Sequence, residues 1–205
     1  MRVRASRFRW PITAFSVLLL SPTATGAQQP ESVQFARERI SIAVEDTSIT
    51  VDGTYVMRNP APYARTQSLF YPFPVDSTHP YPDSVSVWRR KQPVEFGVRE
   101  DGVVFSVEIP AEASVGFRVV YRQACRDRSG CYILTTTAAW ERPLKSADFV
   151  ITLAEGLELE WTAYEVFPVE GGGGGRRYEF SREDFMPDRD LCLRWKPATT
   201  AGTSP

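Results

Sequence analysis

The chain has one histidine and three cysteines, so it is poor in the side chains that most often run proton chemistry near neutrality or hold transition metals. His79 stands alone in Ser77-Thr78-His79-Pro80-Tyr81, and no second histidine exists to serve a hydrolytic triad elsewhere. Asp76 and Asp83 flank it as Asp-x2-His-x3-Asp, which is not a recognised metal spacing; the expectation is a solvated loop histidine and no metal. Neither sign of charge is in excess, with 24 Lys and Arg against 25 Asp and Glu, so there is no electrostatic footprint for nucleic acid. Sustained helical periodicity is missing. The glycine run Gly171 to Gly175 leads into Arg176 and Arg177 without the lysine, hydroxyl residue and helix of a phosphate loop, and reads as a flexible connector. No cofactor is expected.

The ends are distinctive. Arg2, Arg4, Arg7 and Arg9 form a basic start, Trp10 to Leu20 is an apolar run too short to span a bilayer, and Thr25-Gly26-Ala27 supplies small residues for cleavage. Residues 1–27 are therefore expected to be a secretory signal peptide. Residues 28–196 would form a single domain and 197–205 a disordered tail. The mature chain has no later segment apolar enough to be transmembrane, and the protein is expected to be exported, periplasmic or extracellular. In that oxidising setting three cysteines allow one bridge. Cys125 and Cys131 bracket a polar tip, and the expected disulfide joins them across a hairpin end, leaving Cys192 as a small buried residue.

Alternating apolar residues mark strands throughout. Ile40, Ile42 and Val44 alternate with Arg39, Ser41 and Ala43. After a turn at Glu45 to Ser48, the set Ile49, Val51, Gly53, Tyr55 and Met57 holds one phase, predicting a single strand with a bulge at Gly53 rather than a hairpin at Asp52-Gly53. At Asp101-Gly102 a two-residue loop would pair Val98 with Phe105, Phe96 with Val107 and Val94 with Ile109 on one buried face. Val115, Phe117, Val119 and Tyr121 repeat the pattern. Many short strands between turns predict an all-β, antiparallel β-sandwich.

Carboxylates at Glu183, Asp184, Asp188 and Asp190 could supply a hydrolytic pair, but their spacing selects none and surface solvation explains them. Aromatics are more suggestive. Trp161 and Trp195 are in phase with leucines and belong to the core, whereas Trp88 and Trp140 end their strands. Tyr71, Phe73 and Tyr81 lie in a segment whose prolines prevent a full ladder, placing apolar rings beside an open edge. The candidate interaction surface is therefore Tyr71, Phe73, Tyr81, Trp88 and Trp140.

Tyr55-Val56-Met57-Arg58-Asn59, followed by Tyr71-Pro72-Phe73-Pro74 and a Val-x-Val strand, resembles the inter-alpha-trypsin/vault (VIT) domain over roughly residues 40–121. The chain is also similar in layout to uncharacterised bacterial secreted β-proteins. It departs from the VIT pattern in lacking the family's segment rich in Glu, Ala and Tyr. The resemblance implies an exported, non-enzymatic β-sandwich used for interaction, and carries over no catalytic residue. The expected function is thus a protein-interaction or envelope-accessory module with a protein partner. Carbohydrate binding is the alternative, and a carboxylate-dependent hydrolase comes third.

Overall fold

A computed structural model describes residues 32–170 and 175–199. The expected signal peptide, most of the glycine run and the end of the tail lie outside the described residues. Fourteen strands carry the fold: β1 Gln34–Glu45, β2 Ser48–Arg58, β3 Arg65–Pro72, β4 Ser84–Arg89, β5 Gln92–Pro93, β6 Gly97–Arg99, β7 Gly102–Ile109, β8 Ser114–Ala124, β9 Ser129–Tyr132, β10 Leu144–Leu153, β11 Leu157–Thr162, β12 Phe167–Val169, β13 Arg177–Phe185 and β14 Leu191–Pro197. Among the described residues one 3-10 helical turn, Thr135–Trp140, interrupts them.

An eight-stranded sheet, in the order β12-β13-β10-β1-β2-β8-β4-β5, packs its inner face against two three-stranded sheets, β11-β14-β9 and β3-β7-β6. The all-β sandwich is as expected, with one difference: β1 and β10 pair in parallel, Ile40 beside Phe149 and Ile42 beside Ile151. Residues about a hundred positions apart meet there, and no local pattern marks such a partner. Along β1 the alternation runs without a break from Glu38 to Glu45, burying Ile40, Ile42 and Val44. Asp46 and Thr47 form the turn into β2, which pairs with β1 on one side and β8 on the other.

β2 is one strand, but its pairing stays regular at Gly53. The bulge falls instead on β1, between Phe35 and Arg37. Gly53 is needed for another reason: a Cβ there would collide with the Tyr55 hydroxyl, whose ring folds over the glycine.

The hairpin before β7 turns at Glu100-Asp101, not Asp101-Gly102, so Val98 faces Val103 and Arg99 faces Gly102. The slip is two residues and keeps each side chain on its face. Phe105, Val107 and Ile109 are buried as expected, and Val94 and Phe96 are half-buried against the core. Val98, on a three-residue edge strand, is 61% exposed. Trp161 also departs from expectation. Glu160 bulges out of register with β14, and the tryptophan turns outward to 53% exposure while Trp195 remains buried.

The disulfide is Cys131–Cys192, and Cys125 is a buried free thiol. β8 and β9 do not form a hairpin, because the chain between them crosses from the large sheet to a small one. Cys131 therefore lies directly opposite Cys192 on β14, while Cys125 turns into the core and its Sγ–H points to the Gln123 carbonyl at 3.7 Å.

Candidate functional site

Glu38 points into the sandwich from the same face of β1 as Ile40 and Ile42, and only 3% of it is exposed. Its neighbours across the sheet are Ala147 on β10 and Tyr55 on β2, and Tyr55 in turn faces Phe117 on β8. Three of this row, Glu38, Tyr55 and Phe117, form the floor of a cleft. Beside the acid the Tyr55 and Phe117 rings stack at 5.0 Å.

Two tyrosines reach this floor from the opposing sheets. Tyr132 on β9 donates its hydroxyl to Glu38 Oε2 at 3.3 Å. The Tyr55 hydroxyl joins Tyr132 at 3.0 Å and Tyr71, from β3, at 2.7 Å. A single sense of donation satisfies the chain: Tyr71 to Tyr55 to Tyr132 to Glu38. The chain ends at the acid, whose Oε1 is buried and has no hydrogen-bond partner. Glu38 lines a cavity of about 70 Å³. A buried polar atom without a partner is costly, so the position calls for a polar partner from outside the protein: an acceptor while the carboxyl holds its proton, a donor once it is ionised.

Aromatic rings wall the cavity. Trp140 meets Phe35 at 6.1 Å and Phe35 meets Tyr55 at 6.0 Å between centroids. Phe105 meets Phe117 edge-on at 5.4 Å. The lining also includes Phe70, which is 49% exposed, and Thr136, which is exposed, so the cavity opens to the surface between β3 and the helical turn.

The side of the cleft formed by β9 and this turn is anchored twice to β14 and the loop before it. Cys131–Cys192 fixes the residue before Tyr132. Asp190 Oδ1 accepts from the Leu134 and Thr135 backbone N–H groups and the Thr135 hydroxyl, all at 2.9 Å, and so caps the start of the turn that ends in Trp140.

Burial governs the electrostatics. Desolvation raises the Glu38 carboxyl to about 8, opposed by the hydrogen bond from Tyr132. Tyr55, Tyr71 and Tyr132 are pushed well above their ordinary range, again chiefly by burial. Near neutrality the floor is therefore largely uncharged but holds an acid ready to ionise.

The predicted interaction residues divide. Trp140 lines this cleft, and Tyr71 belongs to its hydroxyl chain. Tyr71 and Phe73, at 9% and 2% exposure, are core residues and do not present a surface. Tyr81 is half-buried, packs edge-on against Phe73 and donates to the Gly102 carbonyl. Trp88 is exposed, but on the outer face of the large sheet beside Arg90, Lys91 and Arg118, and does not line the cleft. The proline segment closes over the core because its backbone finds side-chain partners: buried Gln123 Nε2 donates to the Pro74 and Pro80 carbonyls.

His79 is part of the same fastening and is buried, not solvated. Its Nε2 donates to the Ser129 carbonyl at 3.0 Å, while Nδ1 lies 3.0 Å from Asp76, whose carboxyl these bonds hold far below the usual carboxylate range. Asp83 pairs instead with Arg122. Among the described residues no group of three or more His, Cys, Asp or Glu could hold a metal ion. Of the candidate carboxylates, Asp190 caps the helical turn and Asp188 pairs with Arg189. Asn59, which ends the Tyr55-Val56-Met57-Arg58-Asn59 run, is wholly buried and donates to the Tyr63, Ile109 and Pro110 carbonyls.

Glu38 was not singled out by sequence reasoning. The signal was present, since it stands two residues before Ile40 and four before Ile42, in phase with the inward face.

No protein-family model matches the chain, and no curated protein matches its sequence. Solved structures do. A Legionella pneumophila protein described as "a putative nutrient binding protein" is similar at a TM-score of 0.66 and 16% identity, over 80% of this chain and 66% of that one. An M1 zinc metallopeptidase from Deinococcus radiodurans is similar at a TM-score of 0.49 and 12% identity, over 79% of this chain and 42% of the peptidase. The chain thus spans about two thirds of the first neighbour and less than half of the second. At 16% identity the likeness to the Legionella protein shows the fold alone.

Proposed function

We propose that the chain is an exported, non-enzymatic binding module that takes a small organic ligand in the cleft over Glu38. The observation that carries this reading is Glu38, an enclosed acid with one unpartnered oxygen, in the wall of a cavity that reaches the surface. Clefts with apolar walls and a few converging polar groups are the usual form of a small-ligand site. The reading replaces the proline segment as the interaction surface, because Tyr71 and Phe73 are packed inside. The cross-strand disulfide supports an oxidising compartment. Among the described residues no helix is long and apolar enough to cross a membrane. The description of the Legionella neighbour agrees with a ligand-binding role. The interaction role implied by the VIT resemblance is compatible with it, with the partner now a small molecule.

A plug at the mouth tests this. Thr136→Trp fills the entrance from an exposed position without touching Glu38. Ligand-observed NMR with mixtures of small polar metabolites should find binders to the mature protein, and the plugged variant should lose them at an unchanged melting temperature. A set without binders, or binding that survives the plug, would contradict the cleft. Turnover of a bound ligand would overturn the non-enzymatic part.

A further inference from the structure

We propose that the ligand group seated on Glu38 is a primary ammonium, carried by a small organic amine. The inference rests on the cleft reading above and names its ligand class. Three features select the charge and the donor. The lining carries an acid but no lysine, arginine or histidine, so an anionic group would meet a carboxyl and no cation. Phe35, Tyr55, Phe117 and Trp140 present aromatic rings around the acid, a setting that favours a cation over a neutral polar group. Once Glu38 is ionised, Oε1 needs a hydrogen-bond donor, because Oε2 already accepts from Tyr132. A quaternary ammonium has no N–H to give.

Binding is coupled to a proton. The titratable groups facing Glu38 are Tyr55 on β2, Tyr71 on β3 and Tyr132 on β9, all held neutral by burial, and among the described residues no ion pair reaches the acid. With its carboxyl raised to about 8, Glu38 is mostly protonated at neutral pH. When an ammonium ion seats, the carboxyl proton leaves to solvent and an ammonium–carboxylate pair remains. Affinity therefore rises with pH, by about tenfold per unit below the carboxyl midpoint, and levels off above it. The amine itself, with a midpoint of about 10.4 as for lysine, stays charged across this window.

The probe is n-butylammonium chloride, with 1-butanol as its neutral counterpart, titrated into the mature protein by calorimetry between pH 6 and 9. The expected result is at least tenfold tighter binding of butylammonium than of butanol at pH 8, and about tenfold weaker butylammonium binding at pH 6 than at pH 7. Glu38→Gln should abolish both the cation preference and the pH slope, and Thr136→Trp should block both probes. No butylammonium binding at pH 8, equal affinity for butanol, or a pH-independent affinity in the wild-type protein would each overturn the inference; none of these needs a variant to fold. Neutral metabolites that bind and are blocked only by the plug would remove the ammonium and leave the cleft standing.

Discussion

The two halves of β1 obey the same alternation and bury opposite chemistry. From Ile40 to Val44 the inward positions are aliphatic and fully enclosed, and need no polar partner. Four residues before Ile42 the inward position is Glu38, equally enclosed, with one oxygen on Tyr132 and the other on nothing. Backbone pairing to β2 holds one register from Arg37 to Glu45, so the sheet does not create the difference between Glu38 and Ile42. The opposing layer does. Where tyrosines from β3 and β9 meet over β2, the sandwich encloses a hydroxyl chain and a cavity in place of dry core. A strand can be regular in geometry while one of its positions is costly for stability, and such a position is where binding is expected.

The largest effect that could break this comparison is in the pH dependence of stability. A carboxyl at about 8 in the folded protein, against the ordinary value of 4.5, keeps its proton in the native state after the unfolded chain has lost it. The native state then binds more protons than the unfolded state between those values. Its stabilising contribution is complete below pH 4.5 and is lost as pH rises to 8, by on the order of 5 kcal/mol across the window. Chemical denaturation at pH 5 and pH 8.5 should show this fall in the wild-type protein, and Glu38→Gln should remove most of it. Ile42→Ala, in the dry half of the strand, should cost ~2–5 kcal/mol by the same measurement and by a similar amount at both pH values.

A second effect separates the cleft wall from the large sheet. Cys131–Cys192 closes a segment of 61 residues, for which the chain-entropy model gives about 4 kcal/mol. Cys131→Ser with Cys192→Ser should lower stability by ~2–4 kcal/mol. Hydrogen exchange should then quicken in β9 and the 135–140 turn before β1 and β2. Uniform loss across both layers would mean that the wall is not a separable element.

The smallest effect sharpens the polar side. Tyr71→Phe removes one hydroxyl from the head of the chain, and Tyr55 can still donate to Tyr132. Thermal unfolding should report a loss of about 1 kcal/mol, the net worth of one hydrogen bond. A loss several times larger would show the hydroxyl chain to be a structural keystone rather than a surround for ligand.

Much of this could be read from the sequence because strand phase is a local signal. Ile49 to Met57 gave one strand, and the turn at Glu45 to Ser48 fell where expected. Phase is also where legibility ends. A two-residue slip at Glu100-Asp101 leaves every side chain on its face, so the pattern could not distinguish it from the expected register. The disulfide depended on which sheet β9 joins, and nothing in Cys125 to Cys131 specifies that. Trp161 was turned outward by a single bulged residue that hydrophobic spacing does not announce. Glu38 was readable from its phase, but a charged residue flanked by Arg37 and Arg39 is ordinarily taken for solvent-facing. Its burial follows from tyrosines contributed seventeen and ninety-four positions away in the chain, at Tyr55 and Tyr132.

The measurement that bears most directly on the account is the titration of Glu38 itself. Carbon-13 NMR of the glutamate side-chain carboxyls, with Glu38→Gln identifying the resonance, follows this one acid from pH 4 to 10. A midpoint near 8, falling when butylammonium is added, is the predicted result. A midpoint at the ordinary 4.5 in the free protein would place Glu38 in water and contradict the buried, partnerless acid on which the cleft depends.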